Sequence, residues 1–262
     1  MARHTMLDQT NKTFIAQVGN SMPHTETLDV LNENLENALN TISTATLTYQ
    51  LQQRGIRSTF LGGLKPLQPA KRMVGRARTL RYVALREDLQ KQYAGGINAQ
   101  KRIVEDIQPG DVLVIEGRGI AGAATIGDIF ATRVFALGGR GVVTDGALRD
   151  TTAIADIGQP VYHYASHGAT LGRKHMPYST DEPITCAGVF VIPGDVVVGD
   201  GEGVVIIPAA LAEEVTRDAL VQEEKEAFAL ERVQAGEPTI GLFPLSKERT
   251  PDFETWQQQQ KS

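Results

Sequence analysis

The sequence predicts an α/β protein, a layered sandwich around a mixed central sheet. Three observations lead there. Short apolar runs such as Val112-Leu113-Val114-Ile115 alternate with helical patterns through the middle of the chain. Such continuous runs are what strands buried on both faces look like. Hairpin-like strands cluster later, around Pro193-Gly194-Asp195 and Asp200-Gly201-Glu202-Gly203. A long charged helix then follows, and alternation of this kind calls for sheet and helix layers on one core.

The elements follow in order. Residues 1–25 carry no clear periodicity and read as an arm. Leu28, Leu31, Leu35 and Leu39 recur at helical spacing, and Ser43 or Thr44 can cap a second helix that closes at Gly55. Val74 to Val83 reads as a strand whose solvent side carries Arg76, Arg78 and Arg81, next to Lys71 and Arg72. Val112 to Ile115 is a buried strand, Gly122 to Leu137 a small-residue helix, Gly141 to Thr144 the next strand, and Ala153 to Ile157 a short helix. Val161 to Tyr164 is a further strand. Ala165 to Glu182 reads as irregular. Ile184 to Ile192, Val196 to Val198 and Val204 to Ile207 are strands, and Ala209 to Gln234 is a helix ending at Gly236. No repeat and no second hydrophobic core is legible. The polar tail after Leu245, with four consecutive glutamines, is expected to reach over a neighbour or to lack order.

Composition bounds the function. The 262 residues hold 41% hydrophobic and 22% charged side chains with a net charge of −5. This argues for a globular chain and against a general nucleic-acid binder, which would show a basic face. Cys186 is the single cysteine, so no intrachain disulfide forms; it reads as inert core. No run approaches the ~20 apolar residues of a membrane helix, and the N-terminus lacks a signal-peptide core, so a cytoplasmic location with no membrane partner is expected.

Chemistry concentrates between Gly110 and Pro208. A buried strand delivers Asp145-Gly146-Ala147-Leu148-Arg149-Asp150 beyond its C-terminal end, where ligands gather in α/β sheets. The bland alternative is that Asp150 simply caps the helix after it. His163, His167 and His175 lack the helical pair spacing of a zinc site, and Gly117-Arg118-Gly119 is too short for a phosphate loop. His167 and Arg173 are candidates for a distal substrate group. Glu202 either closes its turn or reaches a neighbouring subunit.

Asp128, twenty intervening residues, then Arg149-Asp150 resembles the signature of 4-hydroxy-4-methyl-2-oxoglutarate/4-carboxy-4-hydroxy-2-oxoadipate aldolases, members of the RraA-like family. Further segments resemble that family in the same order. They are Ile107 to Val114, Gly141 to Gly146, Gln159 to Tyr162, and Pro193-Gly194-Asp195 through Val204, so the resemblance spans roughly residues 40–215. It implies a swivelling β/α domain at 41–215, flanked by an arm and helix at 1–40 and a helix and tail at 216–262. It further implies a class II aldolase that cleaves a 4-hydroxy-2-oxo acid to pyruvate and a carbonyl product, with oxaloacetate decarboxylation as a second activity. Asp150 would ligate Mg²⁺, Mn²⁺ or another divalent cation, Asp128 would hold its waters, and Arg149 would contact the 2-oxo oxygen. Gly127, Ile129 and Phe130 would receive the substrate carboxylate. Hard cations with oxygen ligands and retained waters suit this set. A homotrimer or homohexamer with sites between subunits is implied. The alternatives are a protein regulator of ribonuclease E, whose relatives generally lack the Arg-Asp pair, and another lyase or hydrolase acting on sugar-derived 2-oxo acids.

Overall fold

A computed structural model describes residues 31–260. The expected arm at 1–25 and the first leucine of the helical pattern, Leu28, lie outside the described residues. Asn32 opens helix α1 (Glu33–Leu39), its Oδ1 accepting the Leu35 amide hydrogen bond at 2.9 Å. Ser43 caps α2 (Thr44–Gln53) in the same way through Thr46, and Gly55 ends it at φ 81°.

The sheet elements are β1 (Lys65–Pro66), β2 (Met73–Ala84), β3 (Asp111–Glu116), β4 (Ala124–Ile126), β5 (Gly141–Leu148), β6 (Val161–Ser166), β7 (His175–Thr180), β8 (Ile184–Cys186), β9 (Val189–Val191), β10 (Val196–Gly199) and β11 (Val204–Ile207). Between them lie α3 (Gln90–Ala94), α4 (Ala99–Glu105), α5 (Asp128–Ala136) and α6 (Thr151–Asp156). The chain closes with α7 (Ala212–Gln234) and α8 (Thr250–Gln260). The main sheet runs β1-β6-β5-β3-β2-β10-β11, parallel at its centre and antiparallel at both flanks. The mixed sheet agrees with the expectation.

The side-chain alternation of β3 shows why its apolar run is unbroken. Val112 and Val114 enter a core with Met73, Val143, Tyr162 and Val197. Leu113 and Ile115 enter the opposite one, with Ile103, Val134, Val142 and Ile154 under helices α4 to α6.

β5 and β2 are long because each changes partner along its length. β5 pairs with β3 over Gly141–Thr144 and with β4 over Ala147–Leu148, with a register break against β6 between them. β2 likewise pairs with β10 at one end and β7 at the other. Glycine permits the bend. A Cβ on Gly146 would lie 2.5 Å from Thr125 Cγ2, and one on Gly117 would lie 2.7 Å from the Gly146 Cα.

Several expectations are corrected. Gly122 to Leu137 is not one helix: Ala124–Ile126 is a strand, held by β5, before α5 begins. Small residues there satisfy close strand packing rather than helix propensity. The stretch Ala165 to Glu182 contains β7, whose buried His175, Met176 and Pro177 pair with β2. Ile184 to Ile192 is two strands joined at Ala187-Gly188, both with positive φ (47° and 80°), the signature of a tight hairpin turn.

The tail forms a helix over Thr250–Gln260, and a small further core exists. Phe253 and Trp256 of α8 pack on Phe228 of α7 together with Leu242, and Trp256 Nε1 donates to Glu231 Oε2 at 2.7 Å. Two aromatics on one face of a glutamine-rich helix suffice to dock it. Among the described residues, no helix is long and apolar enough to cross a membrane.

Candidate functional site

β4 ends at Ile126 and Gly127 turns the chain into α5. Gly127 lies at φ −124° and ψ −176°, extended backbone, and contributes no capping side chain. The first turn of α5 therefore presents the amides of Asp128, Ile129 and Phe130 without helical acceptors, the positive end of the helix dipole. Asp128 Oδ1 accepts from the Ile129 amide at 2.8 Å. That amide, expected to be open for a carboxylate, is thus engaged by the neighbouring side chain.

β5 runs parallel to β4 and brings Arg149 and Asp150 against this turn. The Arg149 amide donates to Ile126 O at 3.0 Å, which pins the two strand ends together. β5 extends through Leu148, so Asp145 is not beyond the strand end as expected. It is a buried strand residue that accepts from the amides of Gly117, Gly119 and Ala187. Burial pushes its carboxyl above the ordinary range despite those donors. Asp145 ties the loop after β3 to the β8–β9 turn and stands apart from the Arg149-Asp150 pair.

Asp150 is the unusual residue. It occupies the N-cap position of α6, yet its φ of 58° and ψ of 39° are left-handed and its side chain makes no capping hydrogen bond. Capping residues take extended backbone and bond back to the helix. The bland reading of Asp150 is therefore wrong. A left-handed residue other than glycine costs about 1–2 kcal/mol, and such strain concentrates at working sites. The backbone turn swings the carboxylate away from α6 and toward Gly127: a Cβ on Gly127 would lie 3.1 Å from Asp150 Oδ2. Arg149 Nε lies 3.2 Å from the same oxygen, and both side chains are partly exposed.

These groups line one cleft of about 280 Å³. Gln100, Ile126, Gly127, Asp128, Ile129, Phe130, Arg149, Asp150 and Leu171 are all part of its wall. A second cavity, of about 520 Å³, shares Asp128 and Asp150 and is walled by Thr151, Thr152, Ser166 and His167. The Ala169 amide donates to His167 Nδ1 at 2.9 Å, so the ring's proton sits on Nε2.

The six residues that the resemblance assigns to the site line one cleft: Gly127, Asp128, Ile129, Phe130, Arg149 and Asp150. Gln100, Thr170 and Leu171, which also line the cleft, were not singled out, because nothing in their local pattern distinguishes them. Arg173 sits in a single 3₁₀ turn and lines neither cavity. His163 and His175 are buried elsewhere. His163 Nδ1 donates to Lys65 O, and His175 packs on Tyr82 beside Arg118. Glu202 does not close its turn with its side chain. Asp200 does, accepting from the amides of Glu202 and Thr44, each within 2.9 Å. Cys186 is fully buried, and burial pushes its thiol well up. The arginines of β2 are ion-paired: Arg78 with Asp181, Asp106 and Asp111, Arg81 with Glu116.

A divalent cation fits this donor set. Among the described residues no cluster of three or more His, Cys, Asp or Glu could encase an ion. What the cleft has is one uncapped carboxylate with a second nearby, hard oxygen donors in an open setting. That suits a cation that keeps most of its waters.

Comparison with known proteins identifies the family. Residues 40–206 match the RraA-like family, described as Aldolase/RraA. A protein of Halalkalibacterium halodurans, provisionally named 4-hydroxy-4-methyl-2-oxoglutarate aldolase, is 35% identical over 159 residues, 60% of this chain and 69% of that one. A Pseudomonas fluorescens protein with the same provisional name is 34% identical over 102 residues, 39% of this chain and 62% of its own length. The crystal structure of Streptomyces coelicolor RraAS2, titled an unusual member of the RNase ES inhibitor RraA family, superposes with a TM-score of 0.72. It is 32% identical and covers 77% of this chain and 98% of that one. With the matched region taking in the whole cleft wall from Gln100 to Leu171, the chain belongs to the RraA-like family.

Proposed function

We propose that this chain is a divalent-cation-dependent lyase that cleaves a 4-hydroxy-2-oxo acid to pyruvate and a carbonyl product. The observation that carries this reading is the strained, uncapped Asp150 beside Arg149 at the open N-terminus of α5. Asp150 would hold the cation and Asp128 the waters around it; when bound, the cation supplies Lewis-acid polarisation at the 2-oxo oxygen. The remaining work falls to the chain's own groups. The α5 amides, the Phe130 amide above all, receive the C1 carboxylate, as helix N-termini do. Arg149 sets a fixed guanidinium beside the 2-oxo oxygen. As the C3–C4 bond breaks, its electron pair delocalises toward that oxygen, and Arg149 meets the growing charge. The 4-hydroxyl loses its proton as C4 becomes a carbonyl, and C3 takes up a proton to complete pyruvate. Loss of CO₂ from oxaloacetate uses the same electron sink and the same residues.

The test is pyruvate release from oxaloacetate and from 4-hydroxy-2-oxo acids with Mg²⁺ or Mn²⁺, with and without a chelator. Turnover should vanish with the chelator and return with excess cation. Asp150→Asn should be inactive yet unfold at the wild-type temperature, because a neutral amide of the same shape is a poor ligand for a hard cation. Full activity in this variant removes Asp150 as the ligand.

A second reading follows from the Streptomyces relative, whose title names an RNase ES inhibitor family. Chelator-insensitive inhibition of an RNase E-type nuclease, with no pyruvate from any substrate, would favour it. The retained Arg149-Asp150 pair supports the lyase. A trimeric or hexameric assembly belongs to the same proposal and is checked by light scattering.

A further inference from the structure

Gln100 lines the cleft, and the proposed reaction does not use its amide. It lies on α4 and is 2% exposed. Its Nε2 donates to Thr125 O at 2.8 Å, and Thr125 O also receives the Tyr82 hydroxyl at 2.7 Å. A carbonyl can only accept, so the amide orientation is determined: nitrogen toward Thr125, oxygen away. Gln100 Oε1 has no hydrogen-bond partner among the described residues, and it is not among the sealed, unpartnered polar atoms of the interior. Gln100 is part of the cleft wall, so the cleft is the described cavity beside this amide. Buried acceptors are rarely left unmet, so this one looks for a donor.

The rest of the wall sets what can bring it. Ala124, Ile126, Phe130 and Leu171 are apolar, Thr170 offers a hydroxyl, and Asp128 and Asp150 are acceptors when ionised. Among the described residues, Arg149 is the sole cationic side chain in the cleft wall, and it is engaged with Asp150. A second carboxylate on the substrate would face acceptors and apolar surface with no cation of its own, a costly arrangement. A hydroxyl there would find an acceptor already in place.

We propose that Gln100 is a specificity-determining residue, and that this cleft selects 4-hydroxy-2-oxo acids whose chain beyond C4 is uncharged and carries a hydroxyl donated to Gln100 Oε1. This rests on the lyase reading and narrows it to polyhydroxylated, sugar-acid-like substrates rather than dicarboxylates.

Three substrates that each release pyruvate separate the possibilities: 4,5-dihydroxy-2-oxopentanoate, 4-hydroxy-2-oxopentanoate and 4-hydroxy-2-oxoglutarate. With the Mg²⁺-loaded full chain, kcat/KM should fall in that order. In Gln100→Leu the ratio between the first two should shrink by about tenfold, roughly the worth of one hydrogen bond, with the change chiefly in KM. Gln100→Met, longer and flexible, is read beside it, and thermal unfolding checks that both fold. A wild-type preference for the oxoglutarate substrate overturns the inference and points instead to the His167 cavity or a partner subunit for the distal group. An unchanged ratio in folded variants overturns the role of Gln100. Oxaloacetate decarboxylation serves as the separate control. If it proceeds with chelator sensitivity while the substrate order is reversed, only the selectivity fails. If no substrate yields pyruvate, the lyase reading fails and takes the selectivity with it.

Discussion

Arg149 and Asp128 can be separated by what each should cost. In the proposed reaction the Arg149 guanidinium would face charge that is larger on the enolate than on the ground-state ketone, and interactions stronger in the transition state raise kcat. Lysine keeps the charge and loses the planar fork. Arg149→Lys should therefore lower kcat on the order of 10²–10³-fold, comparable to one lost oxyanion donor. Competitive inhibition by oxalate, a planar enolate mimic, should weaken with it. A rise in KM alone, with oxalate affinity intact, would make the arginine an anchor. Asp128 is expected to act through water, so Asp128→Ala should reduce cation affinity or rate roughly 10–100-fold without abolishing either. The same substitution frees the Ile129 amide, which Asp128 now occupies. KM for the 2-oxo acid should then fall or hold steady even as kcat drops; a kcat equal to wild type would remove Asp128 from the mechanism.

At the scale of elements, the cleft is made where β4, α5 and the end of β5 meet. The closest approach is the turn at Gly127 against the Asp150 carboxylate. Its extended backbone suits any residue, so Gly127→Ala should fold. The added methyl at 3.1 Å from Asp150 Oδ2 must displace that oxygen or be displaced. We expect Mn²⁺ affinity, followed by the ion's paramagnetic resonance, to fall by about tenfold or more, within the range seen when a ligand's support is disturbed. Unfolding temperature should change little. Equal Mn²⁺ affinity in the variant would show that the turn does not position Asp150.

Across the whole molecule, stability should depend on pH through two buried histidines. Burial lowers the pKa of His163, and burial together with the neighbouring Arg118 charge lowers that of His175. In the unfolded chain both titrate near 6.5. Below that value the unfolded state binds protons that the folded state refuses, so stability is complete above about pH 6.5 and declines as pH falls toward the folded-state values. The unfolding temperature should drop by several degrees between about pH 7.5 and 5.5. His163→Gln with His175→Gln, which keeps an acceptor for Arg118, should flatten the slope. A temperature that is constant or rises over that interval would contradict the assignment.

What the sequence determined by itself is the strongly periodic and the strongly punctuated. β3 was legible because a strand buried on both faces must be apolar throughout, and α2 because Ser43 and Gly55 mark its ends chemically. Arg149-Asp150 and Asp128 stood out through their spacing, and the matching of an ordered set of segments carried the family. Tertiary structure decided the rest. β7 and β4 are strands because β2 and β5 offer them unpaired edges, a long-range condition that leaves no local period. The ordered tail depends on Phe253 and Trp256 finding Phe228, some 25 residues or more away in the chain. From sequence Asp150 reads either as a cap or as a ligand, and only its left-handed backbone removes the cap. Gln100 looks like any helical glutamine until α4 is laid along the cleft. Its meaning lies in which of its two amide atoms has a partner, and that is a property of the folded chain alone.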